Sequence, residues 1–361
     1  MQLFQPEEVI VERGSEASPI YRNLRNALPL IPFRTVDAVS TENGRTDFSA
    51  FSFGAAKKRL FLTRHKGEFL KKCPGSDGQV CCNYFVINFA SNCPMDCSYC
   101  YLQEYLADNS ELKVFSNVDD LLTEAEELLT KHRRFFFRIG TGEITDSLAL
   151  DPYIGFTSEI VPFFAEQPNV LLELKTKSDC VEGLLVLDPK DRVVVSWSMN
   201  PQRVIDLDEH GTASLSERLL AARRCQDAGY RLGFHFDPIV EYPNWESDYE
   251  EALDQTFGVK TKSYLQVYTS VIRLTEILHA QASVPSQEVC LYLQAIDRCE
   301  HAQNRRRCHS HGPLEHRTPT SVRHANTPLR PMRLRLQLLS PKTALPLLKE
   351  TTRIRLCFRL P

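Results

Sequence analysis

"FASNCPMDCSYCYLQ" (Phe89–Gln103) places Cys93, Cys97 and Cys100 within eight residues, spaced C-x3-C-x2-C. It continues "NYFVINFA" (83–90), a short apolar run rich in β-formers that reads as a strand delivering the chain to the cysteines. Thiolates this close suit a metal. A structural zinc site closes with four ligands. A cubane iron–sulfur cluster has four irons, so three local thiolates leave one iron open to a small molecule. A zinc knuckle borrowing Cys73, Cys81 or Cys82 is the competing reading.

Working outward, strand and helix patterns alternate. "FFFRIG" (135–140), "NVLLELKT" (169–176), "DRVVVSWSMN" (191–200) and "RLGFHFDPI" (231–239) read as strands. "NVDDLLTEAEELLTKH" (117–132) reads as a helix with Ser116 as its N-cap and Asp119 three residues on. "DPYIGFTSEIVPFFAEQ" (151–167) is a second helix, weakened by Pro162. "SLSERLLAARRCQDAG" (214–229), closed by Gly229, and "WESDYEEALDQTF" (245–257) are two more. Alternating βα units imply a parallel sheet, with the active site at the C-terminal ends of its strands. The sequence predicts an α/β fold: a partial or incomplete (β/α) TIM-like barrel.

Composition narrows the class. The chain has 361 residues, 42% hydrophobic and 25% charged, as in soluble globular proteins. No apolar run reaches the roughly 18 residues that span a bilayer, and "MQLFQPEEVIVERG" lacks a signal-peptide core. A cytoplasmic location without membrane partners is expected. Twelve cysteines in a reducing compartment are core residues or metal ligands rather than a disulfide framework. Cys180 and Cys225 read as core, and "KKCPGSDGQVCC" (71–82) as loop or core cysteines or a second metal site.

The net charge of −3 hides an asymmetry: residues 301–361 hold 13 Lys or Arg against Glu315 and Glu350. Within 258–361, "SVIRLTEILHAQ" (270–281) looks helical and "PMRLRLQLL" (331–339) alternates like an edge strand. Otherwise this basic tail reads as poorly structured. It is a nucleic-acid arm, a disordered segment, or sequence out of frame. The expected organisation is an N-terminal family-specific region (1–82), the partial barrel (83–257) and the atypical tail (258–361).

The cysteine spacing after a first strand resembles the signature of the radical S-adenosylmethionine (SAM) superfamily. "RIGTGEITD" (138–146), one βα unit later, resembles its glycine-rich stretch, so that Gly140, Thr141, Gly142 and Glu143 would receive the SAM amino group. "CSYCYLQ" (97–103), "ELKTK" (173–177), "VSWSMNPQRVI" (195–205), "LLAARRCQDAGYRLGFHFDPI" (219–239) and "NWESDY" (244–249) narrow the resemblance to the spore photoproduct lyase family.

The resemblance implies a [4Fe–4S] cluster on Cys93, Cys97 and Cys100, with SAM chelated to the fourth iron. Reduction by a donor such as flavodoxin or ferredoxin would then yield a 5′-deoxyadenosyl radical. It implies a lyase in DNA repair, with DNA or another nucleic acid as substrate and the lesion extruded from any duplex. Thr145 would hydrogen-bond SAM, while Lys175 and Ser198 would meet its carboxylate. Tyr99 would contact the adenine, and Tyr99 and Tyr101 would relay a hydrogen atom.

Two departures matter. Glu143 stands where the true lyases carry a hydrogen-donating cysteine, and a carboxylate O–H bond is too strong to replace a thiol. After Phe257 the resemblance is lost. His235, Asp237 and Glu241, at a strand end, read equally as substrate contacts or as structural groups. A radical SAM enzyme and a degenerate, non-enzymatic iron–sulfur or nucleic-acid binding protein are therefore both open.

Overall fold

The computed structural model describes residues 3–38, 56–73, 84–106, 109–257, 265–272, 279–284 and 287–296, the last three segments as backbone. Its strands, in chain order, are β1 (Glu8–Glu12), β2 (Phe33–Val36), β3 (Arg59–Thr63), β4 (Leu70–Lys72), β5 (Tyr84–Ile87), β6 (Ala90–Ser91), β7 (Asp96–Cys97) and β8 (Leu112–Phe115). They continue as β9 (Phe137–Gly140), β10 (Val170–Thr176), β11 (Val193–Ser198), β12 (Glu209–His210), β13 (Arg231–Ile239), β14 (Leu265–Ile272), β15 (His279–Val284) and β16 (Gln287–Ile296). The helices are α1 (Pro19–Ala27), α2 (Leu102–Tyr105), α3 (Val118–Lys131), α4 (Asp151–Ile154), α5 (Phe156–Ala165), α6 (Gln202–Asp208), α7 (Leu215–Asp227) and α8 (Trp245–Phe257).

The main sheet runs β15-β16-β14-β13-β11-β10-β9-β5-β4. From β5 through β14 to β16 every neighbouring pair is parallel, and only the edge strands β4 and β15 pair antiparallel. The expected five strands are its centre. β11, "VVVSWS", is buried along its whole length, as parallel strands covered on both faces are. A second sheet, β2-β1-β3-β8-β6, is parallel except for the β6–β8 pair. The two sheets interleave along the chain: β4 belongs to the main sheet, whereas β6 and β8 join β1, β2 and β3 in the second. A boundary at residue 82 therefore falls between strands that cross over it.

Two helix starts differ from the sequence expectation. Helix α3 begins at Val118 with Asn117, not Ser116, in the cap position. Asn117 does not cap with its side chain; its Oδ1 accepts from the His65 amide at 2.8 Å, and its Nδ2 donates to Asp120 at 2.7 Å. The single helix expected over 151–167 is two, because Gly155 turns left-handed at φ +61° between α4 and α5. The Asp151 carboxylate bridges that break, accepting from the Thr157 amide at 2.8 Å and hydroxyl at 2.6 Å. Pro162 sits inside α5 without ending it.

Beyond α8 the structure replaces the helix expected at 270–281: residues 265–272 and 279–284 are strands, and 287–296 a third. "LQVYTSVI" is rich in β-branched and aromatic residues, which the pleated sheet favours over a helix. The "PMRLRLQLL" stretch lies outside the described residues. Among the described residues no helix is long and apolar enough to cross a membrane.

Helix α7 starts on a capping box, Ser214 Oγ accepting from the Glu217 amide at 3.3 Å and Glu217 Oε2 from the Ser214 amide at 2.7 Å. Ser214→Ala should cost about 1 kcal/mol of stability in chemical denaturation. An unchanged midpoint would show that the box adds nothing to α7.

Candidate active site

The cysteine loop is pinned at both ends. Asn92, buried at φ +70°, donates to the Ser110 carbonyl at 2.6 Å and accepts from the Cys93 amide at 2.7 Å. Buried Lys57 holds the Met95 carbonyl and, at 2.7 Å, the Asp96 carboxylate. β7 pairs antiparallel with β12, setting Cys97 opposite Glu209. The Cys100 amide closes onto the Cys97 carbonyl at 3.1 Å, and Gln103 Nε2 donates to the same oxygen at 2.7 Å. All three thiols are free. Burial pushes the Cys93 thiol far up and the Cys97 thiol up to about 12, the latter opposed by the Lys177 ammonium. Among the described residues no three Cys, His, Asp or Glu side chains converge on a single-ion geometry. Thiolates that each hold a different iron need not converge in that way.

The residues expected to hold SAM lie at or just beyond the C-terminal ends of β9, β10 and β11, apart from Tyr99 in the cysteine loop. Parallel register puts Gly140 beside Glu173, Lys175 beside Ser196, and Ser198 beside His235. Gly142 packs so tightly on Lys175 that a Cβ there would come within 2.7 Å of the Lys175 Cβ. Thr141 is buried, its hydroxyl donating to Ser147 at 2.7 Å. Thr145 is 4% exposed, and its hydroxyl finds no hydrogen-bond partner among the described residues. A buried hydroxyl of this kind, at a mouth with a lysine and a serine, fits a polar ligand such as SAM. Glu143 turns its side chain to solvent, and its carbonyl accepts the Tyr101 hydroxyl at 2.6 Å. Tyr101 thus ties the cysteine loop to the loop after β9. The Tyr99 hydroxyl donates to buried Glu209, and its half-buried ring packs with Val204, Val240 and Tyr242.

Several groups that the sequence reading passed over complete the site. Asp146 is a clamp: Oδ1 accepts from the Leu148 and Ala149 amides at 3.0 and 2.8 Å and from the Thr176 hydroxyl at 2.7 Å. Its Oδ2 takes the Lys177 amide at 2.7 Å, fixing the loop after β9 to the end of β10. The Lys177 ammonium lies 5.7 Å from the centre of the Tyr99 ring. Beneath the mouth, Glu173 accepts from Ser196 Oγ at 2.7 Å and pairs with His235 Nε2 at 2.9 Å, with Arg138 at 3.6 Å. A Cβ on Gly140 would lie 1.6 Å from the Tyr84 hydroxyl, and one on Gly233 2.3 Å from Ser196 Oγ. These two glycines therefore make room for that polar layer. His235 is in this sense a structural partner of Glu173. The Asp237 side chain lies outside the described residues, and so do Cys81 and Cys82. Cys180 and Cys225 are buried, as expected of core residues.

A family model described as spore photoproduct lyase matches residues 36–289. The chain belongs to the spore photoproduct lyase family. The match runs past Phe257, where the sequence reading lost the resemblance, and takes in β14 and β15. Spore photoproduct lyase of Clostridium acetobutylicum is 29% identical over 180 residues, 49% of this chain and 53% of that one. The enzyme of Bacillus subtilis is 28% identical over 171 residues, 47% and 50% of the two chains. The chain thus aligns with about half the length of the curated relatives it matches. A solved spore photoproduct lyase complexed with dinucleoside spore photoproduct superposes with TM-score 0.66 at 22% identity, covering 85% of this chain and 94% of that one. A variant with bound AdoMet and the same dinucleoside gives 0.64 at 22% identity, with the same coverage. These likenesses establish the shared partial-barrel fold.

The polar layer has a pH signature. Burial would raise the Glu173 carboxyl, but His235, Arg138 and Ser196 outweigh it and hold the group well below the ordinary carboxylate range. A depressed folded value gives stability that is present above the unfolded pKa of about 4.3 and lost as pH falls. The part of the wild-type stability advantage over Glu173→Gln that comes from this depressed carboxyl should therefore shrink as pH falls below about 4. A pH-independent difference in chemical denaturation would contradict this.

Proposed function

We propose that this chain is a radical SAM enzyme of the lyase type that acts on a lesion in DNA or another nucleic acid. The observation that carries the reading is the seat of Cys93, Cys97 and Cys100: one pinned loop, joined through Tyr101 and Glu143 to a mouth holding the Thr145 hydroxyl, which has no partner among the described residues. Family membership supports it, as does the AdoMet bound in a solved relative with this fold.

In this reading the three thiolates hold a [4Fe–4S] cluster, and Thr145, Lys175, Ser198 and the Gly140–Glu143 turn hold SAM. When bound and reduced, that pair of cofactors supplies a 5′-deoxyadenosyl radical. The chain supplies position and shelter. Lys175 offers a cation to the SAM carboxylate, a charge-assisted bond. Thr145 gains a partner for a buried hydroxyl that has none among the described residues. Gly142, hard against Lys175, lets the turn come close to the ligand. The Tyr99 ring, with its hydroxyl held by Glu209, presents a flat face to the adenine. Tyr101 bonds the backbone of Glu143, the position where true lyases carry a cysteine. Glu143 cannot give a hydrogen atom as a thiol does, so the reaction ends by another route than theirs, with the Tyr101 phenol bonded to the Glu143 carbonyl. The electron comes from a flavodoxin- or ferredoxin-type donor.

Cys93→Ala, Cys97→Ala and Cys100→Ala should each abolish the visible iron–sulfur absorption after anaerobic reconstitution, and with it the release of 5′-deoxyadenosine from SAM. An oxygen-sensitive chromophore surviving in the triple variant would sink the cluster assignment. Lys175→Ala should weaken SAM binding by about 1.5–3 kcal/mol and leave iron content unchanged. Equal SAM affinity in calorimetry would remove Lys175 from the site.

A further inference from the structure

At the N-terminal ends of β5 and β9, away from the mouth, lies a basic and aromatic rim that the proposed reaction does not use. "KHRRFF" (131–136) joins the end of α3 to the start of β9, and all six residues are exposed. Phe135 and Phe136 are 40% and 44% exposed. Lys131 suits the C-terminal turn of a helix, where a cation meets the macrodipole. That accounts for one charge and leaves Arg133, Arg134 and the two rings. Among the described residues no carboxylate pairs with Lys131, Arg133 or Arg134. The loop is held in place by buried Asn169. Its Nδ2 donates to the Leu129, His132 and Phe135 carbonyls at 3.2, 3.4 and 3.3 Å, and its own carbonyl takes the Phe137 amide at 2.8 Å. The Phe135 ring meets Phe137 edge-on at 4.6 Å, and Phe137 meets Phe85 of β5 at 5.3 Å. β4 pairs antiparallel with β5 and sets exposed Lys72 opposite Phe85, so the two share a face of the sheet. Cations therefore flank a row of rings, from Lys72 on the edge strand to Arg133 and Arg134.

We infer that this rim is a second nucleic-acid contact, one that takes single-stranded DNA outside the mouth. The cations hold backbone phosphates, and Phe135 and Phe136 stack on unpaired bases. Proteins that hold single strands combine a positive track with aromatic platforms, since every base has a π-face. A duplex offers its phosphates but keeps its bases stacked, so exposed rings have a use only on an unpaired strand. Extruding a lesion from a duplex leaves unpaired bases around it. Phe137 and the Gly140 turn lie about 10 Å apart along β9, at about 3.3 Å per residue. A strand whose lesion enters the mouth can thus reach the rim. These side chains bind the flank of the substrate and take no part in the chemistry. An acidic protein would also satisfy the cations, but the two exposed rings beside them favour a nucleic acid. The inference rests on the reading of the substrate as a nucleic acid, and it requires neither the cluster nor SAM.

The test is fluorescence anisotropy of a labelled, undamaged oligothymidylate with the full chain over a series of salt concentrations. Arg133→Gln combined with Arg134→Gln should weaken binding and flatten the slope of log K against log salt by about 1.4, the share of two single-strand phosphates at about 0.7 each. Phe136→Ala should weaken binding about tenfold and leave the salt slope unchanged. Phe136→Tyr keeps a ring and should stay near wild type. The basic stretch at 301–361 also attracts polyanions, so a strand carrying 5-iodouracil is photo-crosslinked to wild type and the captured peptides are mapped by mass spectrometry. Adducts at Phe135 or Phe136 are expected, and adducts confined to residues 258–361 overturn the inference. Wild-type affinity in both the arginine and the Phe136→Ala variants overturns it too. Polyglutamate that binds as tightly as the oligothymidylate, and loses affinity in the arginine variant, would assign the rim to an acidic protein and overturn it as well. Wild type that binds neither single- nor double-stranded DNA at low salt would instead remove the nucleic-acid reading beneath it.

Discussion

A carboxylate in a nearly dry interior must be paired, and Glu209 is paired by the residues that shape this site. Arg218 neutralises it, Asn200 and Tyr99 complete its hydrogen bonds, and its own backbone pairs with Cys97. Asn200 in turn accepts from Tyr249 of α8 at 2.5 Å, and Tyr249 accepts from the Val240 amide at 2.8 Å. One buried charge thus ties the cysteine loop, the end of β11, α7, α8 and the end of β13 into a single arrangement. Removing either member of the ion pair would strand the other without solvent, a loss of about 3–5 kcal/mol.

The parallel sheet does the second half of the positioning. Its interior is polar beneath the mouth, where Arg138, Glu173, Ser196 and His235 fill inward positions of four adjacent strands. Glycines at 140 and 233 give up side chains so that Tyr84 and Ser196 fit. Above this layer the strand ends carry Gly142, Lys175 and Ser198, and Asp146 fastens the first of these loops to the second strand end. Fixed donors on strand ends hold a ligand more sharply than donors on free loops, and a radical reaction needs that restraint.

Much of this was legible in the sequence where local pattern and global fold agree. The five central strands show as β-rich runs, and the cysteine spacing is independent of packing. What was not legible depends on contacts distant in sequence. Arg218 had a signal: it sits on the stripe Leu215, Arg218, Ala222, Cys225 of α7, an apolar face on which a cation demands a buried partner. Glu173 lay inside the quoted "ELKTK", but only the register of β10 against β11 and β13 shows that it faces His235 and Ser196. Lys177, two residues beyond Lys175, lies against the Tyr99 ring just past the end of β10, where Asp146 accepts its amide, a placement set by contacts distant in sequence. The strands after α8 were missed because a Leu- and Ile-bearing stretch fits both periods, and pairing with β13 decides for the sheet.

The central claim is that three cysteines hold a four-iron cluster and leave one iron for SAM. Mössbauer spectra of the iron-57 reconstituted chain, with and without SAM, test it most directly. The account predicts that one of the four iron sites changes its parameters on SAM addition while the other three hold theirs. Four sites unmoved by saturating SAM, or a chain that takes up zinc and no cluster, would contradict it.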